Sequence, residues 1–427
     1  MTKKIIPIWS FFLATGLLLL VLSLWKLLNQ YNPKLISPIE NKVTHSRFWT
    51  IQSIDAMKYS RDVAREKLND NSFNREIERQ VEDIAKTGAT HIAVGVPYDN
   101  EFLPFLKRWV SISRKHSLSI WFRGNFSGWE GWFGYKKIDR DEHMRLTSDF
   151  IHKNDFLFQD GDIFTSCPEC ENGGPGDPRM NGDTTGHREF LIKEYAVVKQ
   201  AFQDINKEVI GNYYSMNGDV AKLIMDPETT RKLDGVITVD HYVATPQQLE
   251  RDINMYAALS GGKVVLGEWG APIPDIHGDM TEEEQAAWIE EALRLLIPNS
   301  NLIGINYWVN KGGSTALWQD DKERKAVTTI TKFMKPNIVK GSIKDEAGRN
   351  LSDVSITSSL KTFNTSDSYA LPLVKNDIVT FSKEGYKKVV LAPTGDGEET
   401  TRNIVLVKLN KNSWDKFLEY IYKLFFS

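Results

Sequence analysis

Between residues 48 and 334 the chain alternates two textures. Short apolar or aromatic runs fall at 48–54, 91–97, 118–123, 162–166, 209–214, 235–240, 263–268 and 302–308, each suited in length and content to a buried strand. Amphipathic stretches separate them, such as Ile77, Val81, Ile84 and Ala85, or Trp288, Ala292, Leu295 and Leu296. Their spacing of mostly three or four residues draws one apolar stripe along a helix. Thr281 followed by Glu284 is a capping box, and it opens the helix after the seventh run. Eight strands, each followed by a helix, predict an α/β fold, a (β/α)8 TIM barrel over 48–335. An open doubly wound sheet is the rival. No Gly-x-Gly-x-x-Gly follows the first run, and polar groups recur after many runs, which favours the barrel.

Both flanks break this rhythm. From 5 to 28 the chain is apolar apart from Ser10, Thr15, Ser23 and Lys26. At about 1.5 Å per helical residue, roughly 20 residues cross a bilayer core. No small-residue cleavage site follows, so 1–30 reads as an uncleaved single-pass anchor with the lipid bilayer as partner. Lys3 and Lys4 precede it, favouring a cytoplasmic N-terminus and a catalytic domain that is extracellular or periplasmic. Residues 31–47 read as a linker. After Lys335-Pro336 come short alternating runs at 338–343, 354–358, 378–381, 387–391 and 404–409, with turn-formers between them. They predict a small antiparallel β-sandwich over 336–410. Trp414, Phe417, Leu418, Ile421, Leu424 and Phe425 then fall at helical intervals, so 411–427 reads as an amphipathic helix.

Charge narrows the function. A net charge of −3 offers no basic patch, which argues against nucleic acid as a partner. The chemistry-bearing residues gather where the runs end, and barrel enzymes keep their chemistry at the carboxyl ends of their strands. The seventh run closes at Glu268, and Trp-Gly-Ala-Pro turns the chain away. The fourth leads into Cys167-Pro168-Glu169-Cys170-Glu171, the sixth into Asp240-His241-Tyr242, the eighth into Trp308, and the third into Arg123-Gly124-Asn125. Acids on the fourth and seventh strands face each other across a barrel mouth. Two carboxyls about 5–5.5 Å apart suit retaining glycoside hydrolysis, one attacking the anomeric carbon and the other protonating the leaving oxygen.

On Glu268-Trp-Gly, His241-Tyr242 and Trp308, residues 48–334 resemble the clan of retaining (β/α)8 glycoside hydrolases that contains many cellulases and mannanases. The resemblance implies Glu268 as nucleophile, Glu169 as acid/base, Tyr242 as a donor to the nucleophile, and Trp308 as the floor of the sugar site. The fourth strand departs from that pattern, with Pro168-Glu169 where Asn-Glu is usual, so Glu171 stands as the alternative acid. The phrases at 339–348 and 381–386 resemble carboxypeptidase-regulatory-like modules.

Other residues carry two readings each. Cys167 and Cys170 bracket Glu169 and suit either a local disulfide or free thiols; no second pair completes a zinc set. Trp129 and Trp132, in a Gly-punctuated aromatic segment, offer sugar-stacking faces or a plug under a loop. Arg123 and Asn125 read as substrate-binding, with pairing of Arg123 to Asp99 or Asp240 as the alternative. His241 orients a reacting group or makes a structural hydrogen bond. Asp177, Asn181 and Asp183 lack the spacing of a calcium loop, so no metal and no cofactor are expected. The reading is a monomeric, membrane-anchored glycoside hydrolase acting with retention on a β-linked poly- or oligosaccharide. A catalytically inactive glycan-binding barrel and an envelope assembly protein are the alternatives.

Overall fold

The computed structural model describes residues 47–365, 367–374, 377–391 and 399–409, all within the second of two compact units, His45–Ser427. The expected anchor at 1–30, nearly all of the linker and the tail helix at 411–427 lie outside the described residues. Among those described, no helix is long and apolar enough to cross a membrane.

Eight parallel strands form one sheet: β1 Ile51–Asp55, β2 His91–Val94, β3 Ser119–Phe122, β4 Ile163–Phe164, β5 Ser215–Asn217, β6 Val236–Asp240, β7 Lys263–Trp269 and β8 Leu302–Tyr307. Their order is β4-β3-β2-β1-β8-β7-β6-β5. Ser53 of β1 pairs with Asn306 of β8, so the first strand meets the last. Phe164 N–H donates to Ile210 O at 2.8 Å, and Ile210 N–H to Asp162 O at 2.9 Å, which closes β4 on the segment entering β5. The sheet is a barrel, and the open-sheet rival is excluded.

The fifth strand is the one that moved. The apolar run at 209–214 makes only an isolated bridge at Ile210, and regular strand begins at Ser215. Gly211 presses against Val198 of the helix Thr184–Asp204, where an added Cβ would come within 2.5 Å. Asn212 Nδ2 donates to Leu233 O at 2.8 Å and Thr165 Oγ1 to Tyr213 O at 2.7 Å. Side chains there replace the backbone ladder. The helical readings fare more simply. Ile77, Val81 and Ile84 are buried along Asn74–Lys86, and both capping-box bonds between Thr281 and Glu284 open Glu282–Leu296.

The interior of the barrel changes character along its axis. Its lower layer is apolar: Ile51, Ala93, Trp121, Ile163, Val236 and Val265 pack together. One or two pleats further along the same strands come Asp55, Arg123, Asp240 and Gly267. Inward-pointing positions recur every second residue, so the polar set stands above the apolar one toward the carboxyl ends.

A short hairpin, β9 Trp318–Gln319 and β10 Lys322–Glu323, follows the barrel. Two four-stranded sheets come next, built from β11 Asn337–Asp345, β12 Val354–Thr357, β13 Thr362–Thr365, β14 Ser368–Leu373, β15 Val379–Ser382, β16 Val389–Leu391, β17 Glu399–Thr401 and β18 Ile404–Leu406. Their core of Val339, Ile343, Val354, Ile356, Leu371, Phe381 and Leu406 is separate from the barrel's. Leu360 and Val374 instead pack into the barrel's outer core and tie the two together. The module is not wholly antiparallel as expected. Both β17 and β18 run parallel to β11, which is long enough to serve both.

Candidate active site

Glu268 stands one residue before the end of β7, with its side chain 21% exposed. Tyr242 Oη donates to Glu268 Oε2 at 2.8 Å, and Arg123 Nη1 lies 3.1 Å from Oε1. Burial, and then the charge of Glu268, push the Tyr242 phenol well above its ordinary range, so it remains a donor. Both terminal nitrogens of Arg123 are engaged. Its Nη1 donates to Asp55 Oδ2 at 3.0 Å and Gly267 O at 2.9 Å; its Nη2 donates to Ser215 Oγ at 3.0 Å and Asp240 Oδ2 at 3.2 Å. Burial opposes its charge, but Asp240, Glu268, Asp55 and Glu169 together hold the guanidinium above its usual value. Burial raises the Asp240 carboxyl well above the carboxylate range and pushes Asp55 up to about 6, against the pull of Arg123 in both cases. Gly267 makes this crowding feasible: a Cβ there would sit 2.4 Å from Asp240 Oδ1 and 2.8 Å from Ser215 Cβ. Its carbonyl, besides accepting from Arg123, accepts from Asn306 Nδ2 at 2.8 Å.

Glu169 arrives by different means. Cys167 and Cys170 are joined as a disulfide, their Cα atoms 5.2 Å apart, and Glu169 between them is left-handed at φ 45°, ψ 54°. Its N–H donates to Ser215 O at 2.8 Å, and Asn172 Nδ2 donates to its Oε2 at 3.1 Å. Burial raises its carboxyl above the ordinary value, and the charge of Glu268 raises it further. Trp129 holds the loop from below. It is 1% exposed, stacks on Phe190 at 5.2 Å, and donates from Nε1 to Cys170 O at 3.0 Å. The expectation of a sugar-stacking face at Trp129 is therefore corrected: Gly173 and Gly174 lie directly on its indole, which makes it the plug.

The remaining expected residues divide in two. An open cleft of about 360 Å³ is lined by Glu268, Glu169, Arg123, Trp308, Trp132 and Asn172, among others. Glu171 is not among its lining residues. It is 3% exposed, its Oε1 accepts the Asn217 N–H at 2.9 Å, and burial pushes it up to about 7. Asn125 is buried too, its Oδ1 accepting the Phe126 N–H at 2.7 Å and lying 3.0 Å from His143 Nε2. His241 Nε2 lies 2.8 Å from Asp252, and its Nδ1 3.3 Å from Tyr256 Oη, so its ring is held structurally outside the cleft. Arg123 pairs with Asp240 rather than Asp99, which accepts the Ser127 N–H at 2.8 Å. Asp177 and Asp183 cap the helices Pro178–Asn181 and Thr184–Asp204.

Three cleft features escaped the sequence reading. Asp55 closes the first apolar run as Glu268 closes the seventh, so its signal was present. Glu130 lines the cleft, and burial pushes it up to about 7 against the pull of Arg61. The segment 57–61 forms a wall, and nothing in its composition announces that.

No family model and no curated protein matches the chain. Solved structures do match, at low identity. The chain is similar to β-glucuronidase 2 of Bacteroides uniformis (11% identity, TM-score 0.43, covering 77% of this chain and 44% of that one). It is similar also to xylanase 10B of Thermotoga maritima (13%, TM-score 0.44, 67% and 95%). A third is the GH113 β-mannanase of Alicyclobacillus acidocaldarius (10%, TM-score 0.45, 66% and 96%). The chain spans about half the length of the glucuronidases it matches. At this distance the chemistry has to be read from the cleft itself.

Proposed function

We propose that the chain is a glycoside hydrolase that cleaves a β-linked poly- or oligosaccharide with retention. One observation carries this reading: Glu268, held by Tyr242 and Arg123, shares a cleft with a half-buried Glu169 whose carboxyl is raised by burial and by the charge of Glu268. Double displacement asks for that division of labour between two acids. Glu169 donates its proton to the glycosidic oxygen while a Glu268 oxygen attacks the anomeric carbon. The bond to the leaving sugar breaks and an ester forms. Esterification removes the charge on Glu268, so the repulsion that held the proton on Glu169 disappears. Glu169 then takes a proton from water, whose oxygen attacks the anomeric carbon and releases Glu268. Trp308 and Trp132 supply aromatic faces for sugar C–H surfaces. We further propose a monomer anchored by residues 1–30 with the barrel outside the cytoplasm. The apolar run at 5–28 supports this, as does a disulfide of the kind that persists in oxidising compartments.

Mass spectrometry after incubation with a panel of 2-fluoro glycosides tests the reading, because such sugars trap a retaining nucleophile as a stable ester. A sugar adduct on Glu268, absent from Glu268→Gln, is expected. Glycan binding without an adduct from any member would replace the hydrolase by an inert display protein.

A further inference from the structure

The wall at 57–61 takes no part in the double displacement. All five of its residues line the cleft, running from just after the end of β1 into the first turn of the helix Ser60–Lys67. Tyr59 is left-handed at φ 60°, ψ 29°, and 62% exposed, an unusual conformation and setting for a large aromatic side chain. Lys58 beside it is fixed along its length. Its N–H donates to Lys311 O at 3.0 Å, and its stem lies against the loop after β8, where a Cβ on Gly312 or Gly313 would come within 3.3 or 3.2 Å of it. Its ammonium ends 4.6 Å from the Tyr59 ring centre and 5.8 Å from that of Trp308.

That ammonium makes no ion pair among the described residues. Arg61, by contrast, pairs with Asp62 at 3.1 Å and lies over Trp132 at 4.5 Å. Beneath the cleft Asp55, Asp240 and Glu268 all pair with Arg123. Lys58 is therefore a half-buried cation with aromatic faces for neighbours and no carboxylate in ion-pair contact, at the edge of the ring proposed to floor the sugar site. A neutral sugar laid on Trp308 would strip water from it and return no charge; an anionic substituent would return one.

We infer that Lys58 reads an anionic group, a carboxylate or a sulfate, on the sugar bound against Trp308, so that the substrate class is an acidic β-glycan. The inference rests on the hydrolase reading above for its reaction, but not for its binding.

Two measurements test it and separate its failure from that of the hydrolase reading. The first compares kcat/KM for an aryl β-glucuronide and an aryl 6-sulfo-β-N-acetylglucosaminide with their uncharged counterparts, in the native protein and in Lys58→Met, which keeps the aliphatic stem. Preference for one charged member is expected, and it names carboxylate or sulfate. Lys58→Met should lower the charged-to-neutral ratio about tenfold or more, chiefly through KM, and Lys58→Arg should restore part of it. Preference for neutral sugars, or a ratio that Lys58→Met does not move, overturns the inference while leaving hydrolysis through Glu268 standing. The second titrates Glu268→Gln, with and without Lys58→Met, with oligouronates and sulfated oligosaccharides by calorimetry. Affinity that weakens about tenfold without Lys58, in a chain that hydrolyses nothing, would keep the inference and remove the hydrolase. No Lys58-dependent binding of either glycan overturns it.

Discussion

Glu268 and Glu169 reach one cleft from opposite kinds of backbone. Glu268 rides a seven-residue strand whose neighbours on both sides are paired, and its carboxylate meets a phenol and a guanidinium that is itself fixed from below. Glu169 sits in a loop, in a conformation that favours glycine, between two bonded cysteines and above a buried tryptophan. A nucleophile has to meet a carbon in line, so it gains most from a rigid strand. An acid has first to retain its proton, and burial beside a like charge achieves that on a loop, provided something clasps the loop.

Changes aimed at either side should break this contrast unequally. Glu268→Gln removes the attacking oxygen and should lower kcat by about 10⁴-fold or more on any substrate, measured with an activated aryl glycoside. Glu169→Gln should cost about 10²- to 10⁴-fold with a poor leaving group and far less with dinitrophenolate, which needs no proton. Because burial and Glu268 raise the Glu169 carboxyl, activity should fall as pH rises through that raised value. The alkaline limb of kcat/KM should vanish in Glu169→Gln; a limb that persists there assigns the acid elsewhere. Opening the Cys167–Cys170 bond, with dithiothreitol or in Cys167→Ser/Cys170→Ser, should lower kcat roughly 10- to 100-fold for poor leaving groups. The rate of 2-fluoro trapping at Glu268 with an activated leaving group should hardly move. Smallest of all, Thr281→Ala in the helix after β7 should lose about 1 kcal/mol of stability in denaturant titration with kcat unchanged, since the strand and not the following loop positions Glu268.

The strand side of this contrast was readable before any coordinates. Val264, Val265 and Leu266 before Glu268 form a continuously buried run that ends in an acid. The loop side was only half readable. Cys-Pro-Glu-Cys showed the bracket, but sequence alone could not tell that Glu169 faces the cleft while Glu171, two residues on, turns into the protein toward Asn217. Trp129 and Trp132 look alike along the chain, yet one is sealed under Gly173 and Gly174 and the other lines the cleft. β13 of the sandwich escaped the sequence reading for a local reason. Thr362–Thr365 holds one hydrophobic residue, Phe363, and pairs through its backbone with β12, so no apolar alternation marks it. Parallel pairing of β17 and β18 with β11 joins segments some sixty residues apart, which no local pattern encodes.

Gly267 has a consequence for lineage. Any side chain placed there would push on Asp240, and through it on Arg123 and Glu268, so the least reactive residue beneath the cleft is also hard to replace. Tyr59 at the rim is under no such restraint, since it projects into open solvent. Descendants of this chain are free to change diet at the rim while inheriting the hearth unaltered.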